Sequence, residues 1–166
     1  MIVALTHLIQ LRKEFQNSPV FTHSLTWKKF QAHLRNKGSS YRFDDIGALL
    51  QNPPEDAPSE AIWAWSYLQR NAAAFLNNIT IHNNWITEKK NGEQITGVSG
   101  DSSGLKLEDG SVVPWSEIKP EHLLDKRANE EAQAIAFAWF VGLNEQVEKM
   151  AEDLAGRNPE FKTNWR

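Results

Sequence analysis

The sequence predicts an α+β fold: N-terminal helices, a central three- or four-stranded antiparallel β-meander and a C-terminal helical hairpin. Three observations predict it. Apolar residues recur at helical spacing up to about residue 77. From Ile79 to Val113 the chain turns to β-formers broken by Asn91-Gly92 and Asp109-Gly110, both strong hairpin signals. Beyond Ser116 the helical period returns. Helices, then strands, then helices, without a βαβ alternation, argue against a doubly wound sheet.

Leu5, Leu8, Ile9 and Leu11 or Phe15 mark a first helix, stopped at Asn17-Ser18-Pro19 because the residue before proline avoids the helical region. A second runs from about Leu25 to Asn36, with Ser24 or Thr26 as cap, Trp27, Phe30 and Leu34 as its apolar stripe, and Gly38 as a left-handed stop. Phe43-Asp44-Asp45-Ile46 opens a short helix with acids at its positive end. Gln51 to Ser59 is an acidic, proline-rich connection, and Ser59 is expected to cap a long helix from Glu60 to Asn77. Small Ala72-Ala73-Ala74 invites close packing by another element.

Trp85–Lys90, Glu93–Val98, Leu105–Leu107 and Ser111–Val113 are the expected strands, with both residues of Asn91-Gly92 at positive φ and Gly100–Gly104 as a polar turn. A helix restarts at Ser116, another covers Glu121 to Arg127, and Asn129 caps one reaching Val141. That helix is apolar nearly all round and so belongs at the centre. Trp139 within it is expected to cost about 3–5 kcal/mol when truncated to alanine. Gly142 ends it, Asn144 caps a helix to about Ala155, and Asn158-Pro159 begins a last turn from which Phe161 and Trp165 pack back. These elements divide into an N-terminal helical part (1–83), the meander (84–115) and a C-terminal helical part (116–166), together one compact unit.

The chain has 166 residues, seven of them tryptophan and none cysteine. Disulfides, thiolate chemistry and cysteine zinc sites are excluded. The tryptophans read as centres of several small aromatic cores; a surface cluster forming a binding site is the sharper alternative. No stretch has the roughly 18 apolar residues of a membrane span, and Met1–Leu11 lacks the positive start of a signal peptide. A cytoplasmic protein without membrane contact is expected.

The net charge of −3 conceals an asymmetry: residues 1–42 carry +6 and the remainder −9. The basic segment either docks on the acidic remainder or faces an anionic partner. Its helix, with Trp27, Lys28, Lys29, His33, Arg35 and Lys37, is the best nucleic-acid candidate, although its aromatic stripe reads more readily as core.

No catalytic set emerges. Gly100-Asp101-Ser102-Ser103-Gly104 resembles the nucleophile motif of trypsin-like serine proteases, but Ser103 stands where that family has glycine, and a tight turn wants the same residues. None of His7, His23, His33, His82 and His122 forms a metal-binding or helical pair. Asp44 and Asp45 point apart on a helix, and Glu145, Glu148 and Glu152 read as a solvated face. No catalytic residue, metal or cofactor is expected.

Phe137, Trp139 and Phe140, then Gly142, then Val147, Ala151 and Leu154, then Asn158-Pro159, follow an order that resembles one tetratricopeptide-type repeat over residues 129–160. Val113-Pro114-Trp115-Ser116 and the aromatic helix after it are similar, more loosely, to accessory regions of large bacterial multidomain proteins, some carrying Ser/Thr kinases. Either resemblance implies contact with a protein partner rather than chemistry. The expected function is therefore a non-enzymatic interaction or accessory module; the alternatives are a nucleic-acid binder using residues 12–42 and an enzyme whose site is assembled from distant residues. The partner-binding candidates are Trp27, Lys28, Lys29, Arg35, Lys37 and Trp85.

Overall fold

Helices and a small sheet close on a shared apolar core in a computed structural model that describes residues 25–81, 84–126 and 131–157. The helix expected at 5–15, the Asn129 cap, the turn from Asn158 with Phe161 and Trp165, and His7, His23 and His82 lie outside these residues.

Helix α1 (Leu25–Ser39) leads to α2 (Phe43–Leu49) and α3 (Ser59–Asn77). Strands β1 (Trp85–Glu88), β2 (Gln94–Asp101), β3 (Gly104–Leu107) and β4 (Val112–Val113) follow. A 3-10 turn at Trp115–Glu117, α4 (Pro120–Leu124), α5 (Glu131–Phe140) and α6 (Asn144–Arg157) complete the described chain. This is the α+β order read from the sequence. The sheet is an antiparallel meander, β1-β2-β3-β4.

The helices begin and end with differences from expectation. Ser59 is the first helical residue, behind Pro58, and its hydroxyl donates to Glu60 rather than capping the backbone. Thr26 lies inside α1. Gly38 also lies inside α1, so the left-handed residue that ends this helix is Tyr41, with φ 61°. The Tyr41 N–H donates to the Gly38 carbonyl at 2.9 Å and the Arg42 N–H to the Lys37 carbonyl at 2.9 Å, the paired bonds of a Schellman motif. Tyrosine is strained there. Its ring offsets the strain: it meets Phe137 edge-on at 5.1 Å and Phe43 at 6.4 Å, and its hydroxyl donates to the Ile118 carbonyl at 3.4 Å.

Gly142, φ 81°, ends α5 as expected. The Leu143 N–H reaches the Ala138 carbonyl at 2.9 Å and the Gly142 N–H that of Trp139 at 3.3 Å, a second Schellman closure. This three-residue reversal, residues 141–143, sends α6 back along α5, and Ile135 packs on Ala151 and Ala155.

The outer hairpins are tight, by a different turn from the one expected. In the first, only Gly92 has positive φ, at 90°. The Gly92 N–H donates to the Lys89 carbonyl at 2.9 Å, and the Asn91 side chain accepts the Glu93 N–H at 3.0 Å. Asp109-Gly110 repeats this: Gly110 has φ 82°, and the Asp109 carboxylate accepts the Ser111 N–H at 2.9 Å. Both are three-residue loops in which glycine alone takes the left-handed position. A Cβ on Gly92 meets nothing nearer than Glu88 Oε1 at 3.8 Å, so substitution there acts through the backbone. Gly92→Val is expected to lose about 1–2 kcal/mol in denaturant unfolding, from the strain of a β-branched residue at positive φ.

The polar stretch Gly100–Gly104 is mostly strand. Pairing continues to Asp101 opposite Gly104, leaving Ser102-Ser103 as the turn, and a bulge at Val98 adjusts the register between Gly97 and Ser99. The strands gain length because Gly97 and Gly100 let Leu105 and Trp115 lie directly on the backbone: a Cβ at Gly100 would meet Trp115 Cη2 at 2.7 Å.

Buried residues from every helix except α6 and from the sheet form one cluster, including Trp27, Leu34, Ile46, Trp65, Phe75, Ile95, Leu105, Trp115, Ile118 and Phe137. The several small aromatic cores suggested by the tryptophan count are instead a single one. Phe137 is its centre, stacked on Phe75 at 4.5 Å. Trp27, Trp65 and Trp115 are buried, Trp85 and Trp139 half-buried, and Trp63 exposed.

Tyr41 couples this core to pH. Burial, reinforced by Glu121, pushes its phenol far above its ordinary value near 10, and burial raises Tyr67 as well. A folded pKa above the unfolded one gives stability that is complete below about pH 10 and lost as pH rises beyond it. Lys90, whose ammonium sits 4.5 Å from the Tyr41 ring, is lowered by burial and opposes the trend. Denaturant unfolding from pH 9 to 12 is expected to show a falling stability that is less steep in Tyr41→Phe.

Candidate functional site

Helix α1 sorts the candidate residues onto separate faces. Trp27 and Leu34 turn into the core, each fully buried, and Trp27 stacks on Phe30 at 5.7 Å. An indole so placed has no face to offer a base or a partner. Lys28 and Lys29 are exposed. Lys37 turns toward α2, where its ammonium and the Arg42 guanidinium hold the Asp45 carboxylate at 3.1 and 2.5 Å. The hydrogen bond from Lys37, helped by the Arg42 and His33 charges, draws the Asp45 carboxyl below the usual carboxylate range. A cleft of about 350 Å³ beside this knot is lined by His33, Lys37, Asp45, Ala48, Leu49 and Asn52. Two cations of the basic segment are thus spent within the fold.

Arg35 is placed differently. It is exposed, and its guanidinium lies 5.8 Å from the Trp139 ring centre. Among the described residues it makes no ion pair. A cleft of about 480 Å³ opens here between α1 and the reversal joining α5 to α6, lined by Arg35, Asn36, Ser39, Trp139, Phe140, Val141, Gly142 and Asn144. The lining is aromatic and apolar on the α5 side, cationic and polar on the α1 side, and holds no acid among the described residues. The Schellman reversal at Gly142 leaves Trp139 at the helix end and half-exposed, and Trp65 fixes it from behind, edge-on at 5.3 Å. The sequence reading chose Arg35 and missed Trp139, which it assigned to the core; an exposed reversal directly after an aromatic run was the available signal.

Trp85 stands apart on β1, half-buried under the Lys126 ammonium at 5.4 Å. It belongs to the sheet, whereas Arg35 borders the helical cleft.

The ionisable groups elsewhere serve the fold. Asp101 accepts the Ser103 N–H at 2.8 Å and pairs with Lys106 at 2.9 Å, which lowers its carboxyl; its backbone carbonyl accepts the Trp115 indole at 2.8 Å. The serine-protease-like motif is therefore a tied turn. His122 Nδ1 lies 3.0 Å from Thr87 Oγ1 and accepts the Glu88 N–H at 3.3 Å. A base beside a hydroxyl invites a catalytic reading, but Thr87 is only 2% exposed and the same nitrogen seals the outer edge of β1. A further cleft of about 390 Å³ between α4 and α6 is acidic, with Glu121, Asp125 and Asp153 beside Lys149. Among the described residues no group of three or more His, Cys, Asp or Glu can hold a metal ion, and no helix is long and apolar enough to cross a membrane.

Comparison with protein-family models finds no match for this chain, and neither does comparison with curated proteins or with solved structures.

Proposed function

We propose that the protein is a non-enzymatic interaction module that holds a segment of a protein partner in the cleft between α1 and the α5–α6 reversal. The observation that carries this reading is Arg35 over Trp139: an exposed cation with no carboxylate partner among the described residues, on a half-exposed indole, in a cleft of about 480 Å³. Aromatic residues and arginine are the side chains on which interface energy concentrates. The α5–α6 hairpin lends support to a repeat-like helical pair as part of the contact surface. Nucleic acid is less well supported, because Trp27 is closed off and Lys37 and Arg42 are both drawn to the Asp45 carboxylate, which leaves fewer free cations on α1.

Selection from a displayed random-peptide library tests the proposal. Wild-type protein is expected to enrich sequences whose binding is lost in Ser39→Arg, where an exposed cleft residue is enlarged without touching the core. Failure to enrich any sequence, or equal binding by Ser39→Arg, contradicts it.

A further inference from the structure

We infer that the segment this cleft takes is acidic and aromatic: a carboxylate set on Arg35 beside an apolar side chain set on Trp139 and Val141. The inference deepens the interaction reading and rests on it.

The chemistry of the lining selects the class. A guanidinium attracted to an indole face uses none of its five N–H donors in doing so. Among the described residues Arg35 donates no hydrogen bond to a side chain or carbonyl, so none of its donors is taken up by them. Planar guanidinium and carboxylate pair through two parallel bonds, about twice as strong as neutral ones. Lys28 lies two helical turns before Arg35 on the same side of α1 and is exposed, which extends the positive row away from the cleft. Among the described residues no acid lines the cleft to repel a partner's carboxylates.

Apolar recognition comes from the other wall. Trp139 is braced edge-on by Trp65 at 5.3 Å and Phe140 at 5.2 Å, so the indole is held in place before anything binds. A preset aromatic surface loses little conformational freedom on binding. Asn36, Ser39 and Asn144 supply neutral polar groups at the rim.

The probes are a capped hexapeptide alternating aspartate and phenylalanine, its asparagine counterpart, and a twelve-residue oligothymidylate. Binding is read from the Trp139 indole N–H resonance, assigned with Trp139→Phe, in wild type, Arg35→Gln and the control Lys29→Gln. The expected result is a saturable shift with the acidic peptide, weakened about tenfold or more by Arg35→Gln, unchanged by Lys29→Gln, and weakened at high salt. Four results overturn the inference. If the asparagine peptide binds equally, the site is apolar and not acid-selective, although the interaction reading stands. If the oligothymidylate binds as tightly with the same dependence on Arg35, the site takes polyanions in general. If Trp139 responds to neither peptide, or shifts with protein concentration alone and stops doing so in Arg35→Gln, then the occupant is not this class of segment but, in the second case, another copy of the chain. The library selection decides separately whether peptides bind at all.

Discussion

Phe137→Ala is expected to lower stability by about 3–5 kcal/mol, the largest loss of any single truncation in this molecule. Phe137 is fully buried, stacked on Phe75 at 4.5 Å, and met edge-on by Tyr41 at 5.1 Å and Phe43 at 6.4 Å. Those three rings come from α3, from the turn after α1 and from α2, so one side chain of α5 ties both α3 and the α1–α2 corner to itself. Removing it opens a cavity that none of the three can fill without leaving its other contacts. For a chain of this size, each kcal/mol corresponds to about 2–4 °C, so a thermal midpoint lowered by roughly 6–20 °C is expected. Trp139→Ala is expected to cost less, because one side of that indole already faces the cleft. A larger fall for Trp139→Ala than for Phe137→Ala in the same scan would show that the centre lies elsewhere.

Gly38→Val is expected to destabilise by about 2–3 kcal/mol, and Gly38→Ala by about 1–2. Intrinsic propensity alone predicts the opposite sign for alanine, which gains about 1 kcal/mol over glycine inside a helix. Packing wins here. A Cβ at Gly38 would run into the Phe140 ring, which is held by Phe43 at 5.3 Å, Trp139 at 5.2 Å and Trp65 at 5.9 Å. Three neighbouring rings hold it on the core side, so either it yields by breaking those contacts or α1 must lift from α5. Combining Gly38→Ala with Phe140→Leu tests this mechanism. The pair is expected to be less destabilised than the two single losses added together; strict additivity would show that the two residues do not press on each other.

Local chemistry was legible in the sequence and contact between distant segments was not. The meander, the reversal at Gly142 and the Trp65–Phe75 stripe each depend on residues a few positions apart, and each stands where the pattern put it. Gly38 shows the opposite case. A glycine near the end of a helical period reads as a stop, yet here its missing side chain admits a ring from residue 140, and the stop passes to Tyr41. Propensity gives no hint of that choice, because the strain at Tyr41 is offset by Phe137, nearly a hundred residues away. The polar stretch Gly100–Gly104 misled for the same reason: its glycines serve Trp115 and Val113 across the sheet rather than the turn.

The site follows the same rule. Charge asymmetry pointed to α1, and spacing separated Trp27 from the lysines, but only the fold distributes the cations. Lys37 goes to Asp45, while Arg35 goes to Trp139. The −9 of residues 43–166 is thus met partly within the fold, at Asp45, and Arg35 is left to face outward.

The central claim is that the rings build the core while Arg35 on Trp139 does the binding, and Arg35→Glu separates the two roles. Its thermal midpoint and its affinity for library-selected peptides should be measured together. The account predicts a midpoint within a few degrees of wild type, since the arginine is exposed and a cation–π contact there is worth about 0.5–1 kcal/mol, with peptide binding abolished. Unfolding many degrees lower, or undiminished binding, would contradict it.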